Sequence, residues 1–400
     1  MNFYIIHSMF NYFYQFIQKH SVLWKNAIII LTILGFSATV FLSITCRSLP
    51  NNGCDFFHRH NEIQSILAHQ NPYYKWKTFT TVEEMVQLPN APWAYSYAML
   101  ICWLPRPSAL LVFTIIEFIC IFFLLCLIYK FYKIELNNTL YSLFFTSFTI
   151  AGSIRKDLSV GNYVLFCALG VCLMIYFLNK KQQFWAGISW GLVMIKPQLG
   201  ILLFIPLFLQ KRYLCIITAV LMCVILSFIP SYILNENPVN LLLQTTKLGA
   251  QMAADSDRGG LFLLFYHLKG APIEIIYKVS FWIGILLVCV LSWHVRKSNN
   301  WLIRITPAAV YGSFWVYANL CNLNMFIFII MVLAIITVKA QNNIIKMTAF
   351  IFWFLSILPI PHSISSTNLF IKYLLTLLSI IFAIIVIKKD KYLSHQFLED

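Results

Sequence analysis

The 400-residue sequence is short of charge, and shortest of negative charge: Asp and Glu number 14 against 29 Lys and Arg, and charged residues make up 11% of the chain. Soluble domains carry roughly 25% charge. With 60% hydrophobic residues, the chain is therefore read as an integral membrane protein. Strict alternation of apolar and polar residues is also missing, which excludes a transmembrane β-barrel and leaves α-helices as the spanning elements. Nothing points to nucleic acid. The net charge of +15 comes from Lys and Arg spread through short loops, where such residues set orientation. The eleven cysteines lack metal-ligand spacing. Most of them, such as Cys120, Cys126, Cys167, Cys172, Cys215 and Cys223, lie inside apolar runs and read as small buried hydrophobes. Asp255 and Asp257 have no partners that would complete a metal site. Residues 1–25 contain no small-residue cleavage site, so no removable signal peptide is expected.

What is present is a series of apolar runs near the ~20 residues that cross a bilayer. They predict an all-α, polytopic membrane protein with spans over 27–46, 108–130, 139–154, 162–178, 184–195, 198–209, 214–234, 273–293, 301–317, 322–338, 345–360 and 369–387. Lys19, Lys25, Lys130, Lys133, Lys180, Lys181, Lys211, Arg212, Arg296, Lys297, Lys339, Lys346, Lys388 and Lys389 then fall on one side. The excess of positive charge makes that side cytoplasmic, with both termini inside. About twelve crossings form a single membrane domain over 1–400, with two large extracytoplasmic loops, 47–107 and 235–272. The segment Trp93–Leu104, bracketed by Pro92 and Pro105, is too short to cross and is expected to be an interfacial or re-entrant helix of the first loop. Residues 184–210 must cross twice, turning at Lys196-Pro197-Gln198, because Pro breaks the helix there. Broken helices are tolerated where they line protein or a watery cavity.

Two features ask for a functional reading. Asp55 stands just past the first apolar run, and a carboxylate at a membrane boundary is a functional-site hypothesis by default; the plainer alternative is a solvated loop acid. Lys196 lies between Ile195 and Pro197 deep in an apolar hairpin and needs an anion, for which a phosphate is suited. Arg155 and Lys156 face outward in this threading, either as phosphate ligands or as ordinary loop charges. His58 and His60 follow Asp55, and His58 shares its face if the segment is helical; polar residues of an amphipathic helix are the alternative, above all for His60. Glu62 returns toward the same face or is simply solvated. Glu117, in mid-span, reads as a hydrogen-bond partner to another helix. Trp93 and the Tyr73-Tyr74 pair suit an interfacial aromatic belt, or else the stacking of a sugar.

A first helix followed by Cys54-Asp55-Phe56, an amphipathic stretch and Asn71-Pro72-Tyr73 resembles the GT-C superfamily of multi-spanning glycosyltransferases. Within that superfamily the chain is most similar to glycosyltransferase family 87, the polyprenyl-phosphate-mannose-dependent mannosyltransferases. Gly161-Asn162, where the family usually has Gly-Gln, the run Gly187–Gln198 ending in Lys196-Pro197, and Asp257-Arg258-Gly259-Gly260 carry the likeness further, so that it covers roughly residues 27–340. The chain departs from the pattern at Ala91-Pro92-Trp93, where the family has aromatic-Pro-Pro, and at Asn319, Asn322 and Asn324, where a His or an acid is usual.

The resemblance implies transfer of a sugar, mannose by the family's habit, from a polyprenyl-phosphate carrier to a hydroxyl of a lipid or glycan acceptor. It implies an active site on the outer face of a multi-pass plasma membrane, read as bacterial from the wealth of Ile, Asn and Lys. Asp55 would be the general base; Lys196, Arg155, Lys156 and Arg258 would hold the donor phosphate. His58, His60, Asn162, Gln198, Tyr73 and Trp93 would complete the substrate site, and no metal or other cofactor is expected. The rival class is a transporter or flippase of lipid-linked sugars. Transporters commonly carry matched broken helices in two repeats, and the second half of this sequence has no clear counterpart to Lys196-Pro197.

Overall fold

The computed structural model describes residues 54–74, 90–132, 152–255, 273–312, 325, 327–357 and 366–389, with single helical positions at 26, 30, 34, 37 and 41. Most of the expected spans 27–46 and 139–154 lies outside the described residues, as do Arg258 and Asn319, Asn322 and Asn324. The described residues form helices and turns with no strand among them. In chain order the helices are α1 (Cys54–Leu67), α2 (Pro92–Cys102), α3 (Arg106–Tyr132), α4 (Gly152–Val160), α5 (Val164–Asn179) and α6 (Gln183–Val193). There follow α7 (Pro197–Gly200), α8 (Phe204–Leu209), α9 (Tyr213–Leu234), α10 (Pro238–Asp255), α11 (Ile273–Val295), α12 (Trp301–Gly312), α13 (Ile327–Lys339), α14 (Asn343–Ile357) and α15 (Ser366–Lys389).

Two stretches, Arg106–Ile128 of α3 and Tyr213–Leu234 of α9, are long and apolar enough to cross a bilayer. Each keeps an apolar stripe on the outside at helical spacing: Leu111, Ile115, Ile119 and Phe122 on α3, and Ile217, Leu221, Ile225 and Phe228 on α9. Continuous exposed apolar faces of this length fit contact with lipid rather than water. The short segment Pro92–Cys102 is a helix, as its bracketing prolines predict, and α7 and α8 together make the second arm of the expected hairpin.

Glycine sets how closely the central helices approach. α5, α6 and α9 pack against one another, with Gly187 and Gly191 one turn apart on α6. A Cβ on Gly187 would lie 2.6 Å from both the Cys215 carbonyl oxygen and Thr218 Cβ on α9, while one on Gly191 would strike only the Met222 thioether. Small residues four apart let apolar helices meet backbone to backbone, where dispersion rather than water expulsion drives association. Gly170 extends the same economy to α5, since a Cβ there would come within 2.8 Å of Val193 Cγ2.

A proline sets a second contact. Pro230, inside α9, has no N–H for the carbonyl of Leu226 one turn earlier. The Ser96 hydroxyl of α2 donates to that carbonyl at 2.5 Å, which docks the short helix on the long one at the point where the ladder is broken. The α1 and α2 side chains Phe56, Ile63, Ile66, Tyr95 and Ala98 form an apolar cluster with Phe113, Tyr163 and Ile195, so α1 rests on the ends of the other helices and brings its first turn to the α4–α5 connection.

Because the Cys215 carbonyl is backbone and cannot swing aside, Gly187→Val is expected to destabilise the protein by about 1–3 kcal/mol or more. Gly191→Ala is expected to cost clearly less, since Met222 is flexible. Thermal unfolding of the two variants in one detergent checks the order; equal losses would show that the α6–α9 approach is not set at Gly187.

Candidate active site

Asp55 occupies the first turn of α1, where backbone N–H groups and the helix dipole favour a negative charge. It is half-buried, and the Asn162 side-chain amide donates a hydrogen bond to its Oδ2. This contact depends on Gly161, which has φ +69°, and a Cβ there would lie 2.7 Å from Phe56 Cβ. The left-handed turn and the close approach of α1 both require glycine, and together they put Asn162 beside Asp55.

Asp157 builds that turn. Its backbone carbonyl accepts the N–H groups of Gly161 at 2.9 Å and Asn162 at 3.2 Å. Its carboxylate Oδ2 accepts Leu165 N at 2.9 Å, satisfying one of the N–H groups that the start of a helix leaves without a partner. Asp157 is fully buried. Burial pushes its carboxyl up to about 7, against the opposing pull of Lys196 and the Leu165 hydrogen bond. Lys196, 7% exposed, stands at the extended residue before Pro197, so the structure supplies an anion for the buried lysine in Asp157 itself.

Arg59, one turn along α1, is also buried. It donates through Nη1 to the Gly161 carbonyl at 3.4 Å and lies over the Tyr163 ring, Cζ to centroid 3.9 Å. Glu62 is not solvated but 1% exposed, and it accepts Asn90 Nδ2 at 2.9 Å. Burial raises its carboxyl to about 8, opposed by the Asn90 hydrogen bond and the charge of Arg59. Two protonatable acids and two cations are thus packed behind Asp55, and Asp55 alone of these carboxylates reaches the surface.

The remaining sequence candidates have specific places. His58 is buried on α1. His60 meets the Leu104 carbonyl at 2.9 Å, pinning α1 to the α2–α3 turn. Tyr73 donates its hydroxyl to the Asn90 carbonyl at 2.6 Å and is buried, and its neighbour Tyr74 is the exposed one. Trp93 donates Nε1 to the Met194 carbonyl at 2.6 Å, and Trp190 donates to the Gly200 carbonyl at 2.9 Å, so two indoles brace the break on either side of Lys196. Gln198 is half-buried just past that break. Arg155 and Lys156 lie on α4, with side chains outside the described set, and Arg258 falls outside it altogether.

Sequence reasoning missed Asp157 and Arg59. A signal was present for Asp157: it is one of few acids, and it immediately follows Arg155-Lys156 and precedes the Gly161-Asn162 turn.

The family model of glycosyltransferase family 87 matches residues 90–314, which takes in Asn162, Lys196 and Asp157 and begins after Asp55. Among curated proteins no match is found.

The raised carboxyl of Glu62 predicts how stability depends on pH. Folded, it keeps its proton up to about pH 8, whereas unfolded it loses it near 4.5. Its stabilising effect is full below the unfolded value and is lost as pH rises toward the folded one. Wild type is therefore expected to lose more thermal stability between about pH 5 and about pH 8 than Glu62→Gln, which keeps the acceptor oxygen for Asn90. Parallel melting curves across that range would refute the assignment.

Proposed function

This chain belongs to glycosyltransferase family 87, and from that premise we propose that it is an inverting hexosyltransferase that moves a sugar, mannose by preference, from a polyprenyl-phosphate donor to a hydroxyl on a lipid or glycan acceptor. The observation that carries the proposal is the arrangement at Asp55. It is a half-exposed carboxylate at a helix N-terminus, held by an amide from a second helix connection, with cations packed behind it.

Inversion at the anomeric carbon needs a base on the acceptor side and a leaving group on the other. In the proposed reaction Asp55 takes the acceptor hydroxyl's proton as the oxygen attacks. The bond from the anomeric carbon to the phosphate oxygen breaks, and the electron pair leaves on the phosphate, whose growing charge fixed cations stabilise. Such a leaving group needs no second carboxylic acid, unlike the acid–base pair of glycoside hydrolysis. Lys196 is the described cation best placed for this, shared with Asp157, and Arg155, Lys156 and Arg258 are the others in the proposed phosphate site. Asn162 orients Asp55; His58, His60, Gln198, Tyr73 and Trp93 complete the proposed substrate site. The reaction needs no metal in this scheme. About twelve crossings, cytoplasmic termini and an outward-facing site complete the picture, consistent with the basic loops. Family membership favours this reading over a transporter of lipid-linked sugars.

Two variants separate the roles. Asp55→Asn keeps shape and the Asn162 contact but removes basicity, and it is expected to slow transfer by about 10²–10⁴-fold with donor affinity nearly unchanged. Lys196→Ala is expected to weaken donor binding by roughly ten- to a hundredfold, the range of one charge-assisted hydrogen bond of about 1.5–3 kcal/mol. Both are measured with radiolabelled polyprenyl-phosphate-mannose and membrane extract as acceptor. Transfer that survives in Asp55→Asn would overturn the base assignment, and unchanged donor affinity in a folded Lys196→Ala would overturn the phosphate role.

A further inference from the structure

Three arginines gather at the end of the bundle opposite Asp55. α9, 22 residues and so roughly 33 Å long, runs from Arg212 to the corner where His69 meets the Ile233 carbonyl beside α1. At the Arg212 end, α8, α11 and α12 pack together. Arg212 precedes α9, Arg296 follows α11, and Arg304 lies one turn into α12. Gln210 Nε2 donates to the Arg296 carbonyl at 2.6 Å, tying the turn that bears Arg212 to the turn that bears Arg296. Arg212 and Arg304 both lie over the Trp301 ring, with Cζ at 5.3 and 4.8 Å from its centroid, and Arg296 stacks on Trp293.

These guanidiniums are not ordinary loop charges. Arg304 is 9% exposed, inside an otherwise apolar helix face. The buried Nε atoms of Arg212 and Arg304 and the buried Nη1 of Arg296 have no hydrogen-bond partner among the described residues. Orientation in the membrane is set by basic residues in loops and does not require an arginine within α12. A ring face offsets part of a cation's desolvation but leaves N–H donors unmet, and two like charges around one indole add repulsion. Guanidinium groups that each keep an unmet donor suit the oxygens of a phosphate group. Beside it, Phe208, Tyr213, Leu214 and Trp293 present exposed apolar surface, on which an acyl chain could lie.

We propose that Arg212, Arg296 and Arg304 form an anion site for a phosphate group, either a phospholipid headgroup or inorganic phosphate, separate from the candidate active site and independent of the reaction assigned there.

The test follows thermal unfolding of the purified full chain in uncharged detergent, with inorganic phosphate or with phosphatidylglycerol, each against sodium chloride at equal ionic strength. Wild type is expected to be stabilised by at least one probe, with at least tenfold weaker apparent affinity in Arg304→Met. Without any probe, Arg304→Met is expected to be at least as stable as wild type, because it removes a buried charge that lacks a partner; a purely structural arginine would give the opposite. A response to phosphate assigns the free ion, and a response to phosphatidylglycerol alone assigns the headgroup. Arg212→Gln, half-buried at the mouth, carries the same tenfold comparison if Arg304→Met does not fold. No shift beyond the sodium chloride control, or equal responses in wild type and variant, would overturn the proposal.

Discussion

The candidate site hangs on the buried carboxylate of Asp157. Its side chain fills a vacancy at the start of α5, its backbone carbonyl closes the turn that Gly161 and Asn162 need, and its charge balances Lys196 at the break before α7. A carboxylate so far from water costs free energy that hydrogen bonds and a nearby cation offset; Leu165 N meets Oδ2, and Lys196 is the cation. The stretch 157–165 and the break at Lys196 are thereby held together. Asp55 meets that frame through Asn162, and its helix meets it through Phe56 and Arg59 at Gly161, so the geometry of the exposed acid depends on the buried one.

Much of this was legible from one dimension. The apolar runs around α3, α9 and α5 announced helices because a lipid-facing helix needs an apolar surface with no polar face to blur the signal. Pro197 announced the break because its ring removes a donor and blocks the preceding turn. Gly187 and Gly191 were visible as a glycine-rich run, though the run alone could not say that α9 would be the partner. Asn162 was read as part of the substrate site, and the structure sets its amide against Asp55, 107 positions away in sequence. Such pairings depend on the direction in which a turn leaves a helix. Gly161 determines that direction by a positive φ, a property of backbone and neighbour packing together. Asp157 stayed hidden for a related reason: beside Arg155 and Lys156 it looks like part of a solvated charge run, and only folding buries it. Tyr73 illustrates the converse, since a Tyr-Tyr pair suits the membrane interface and only one of the two is exposed.

Charge is divided unevenly between the two ends of the bundle. Around α1, the acids Asp55, Glu62 and Asp157 are interleaved with Arg59 and Lys196, so each cation has a carboxylate within electrostatic reach. Around the start of α12, arginines share aromatic rings with one another instead. At that end the charge acting on Arg304 is a like one, Arg212, and buried N–H groups of all three arginines lack a hydrogen-bond partner among the described residues. The first arrangement is internally balanced and suited to holding geometry; the second is an unfilled demand for negative charge.

The packing at the α1 end also explains why Asp55, rather than a neighbour, is the base in the proposed reaction. A general base has to touch the proton it removes. Asp157 and Glu62 are sealed at 0% and 1% exposure, and their donors are the backbone of α5 and the Asn90 side chain, so neither oxygen is presented to an incoming hydroxyl. Burial raises both carboxyls, to about 7 and about 8, while Lys196 and Arg59 pull them back down. Asp55 sits at a helix N-terminus beside the Asn162 amide, and its half-exposed position opens it to solvent. Sealed acids behind a half-exposed one form a gradient of environment from the interior to the surface, and the base of the proposed reaction is the acid at its open end.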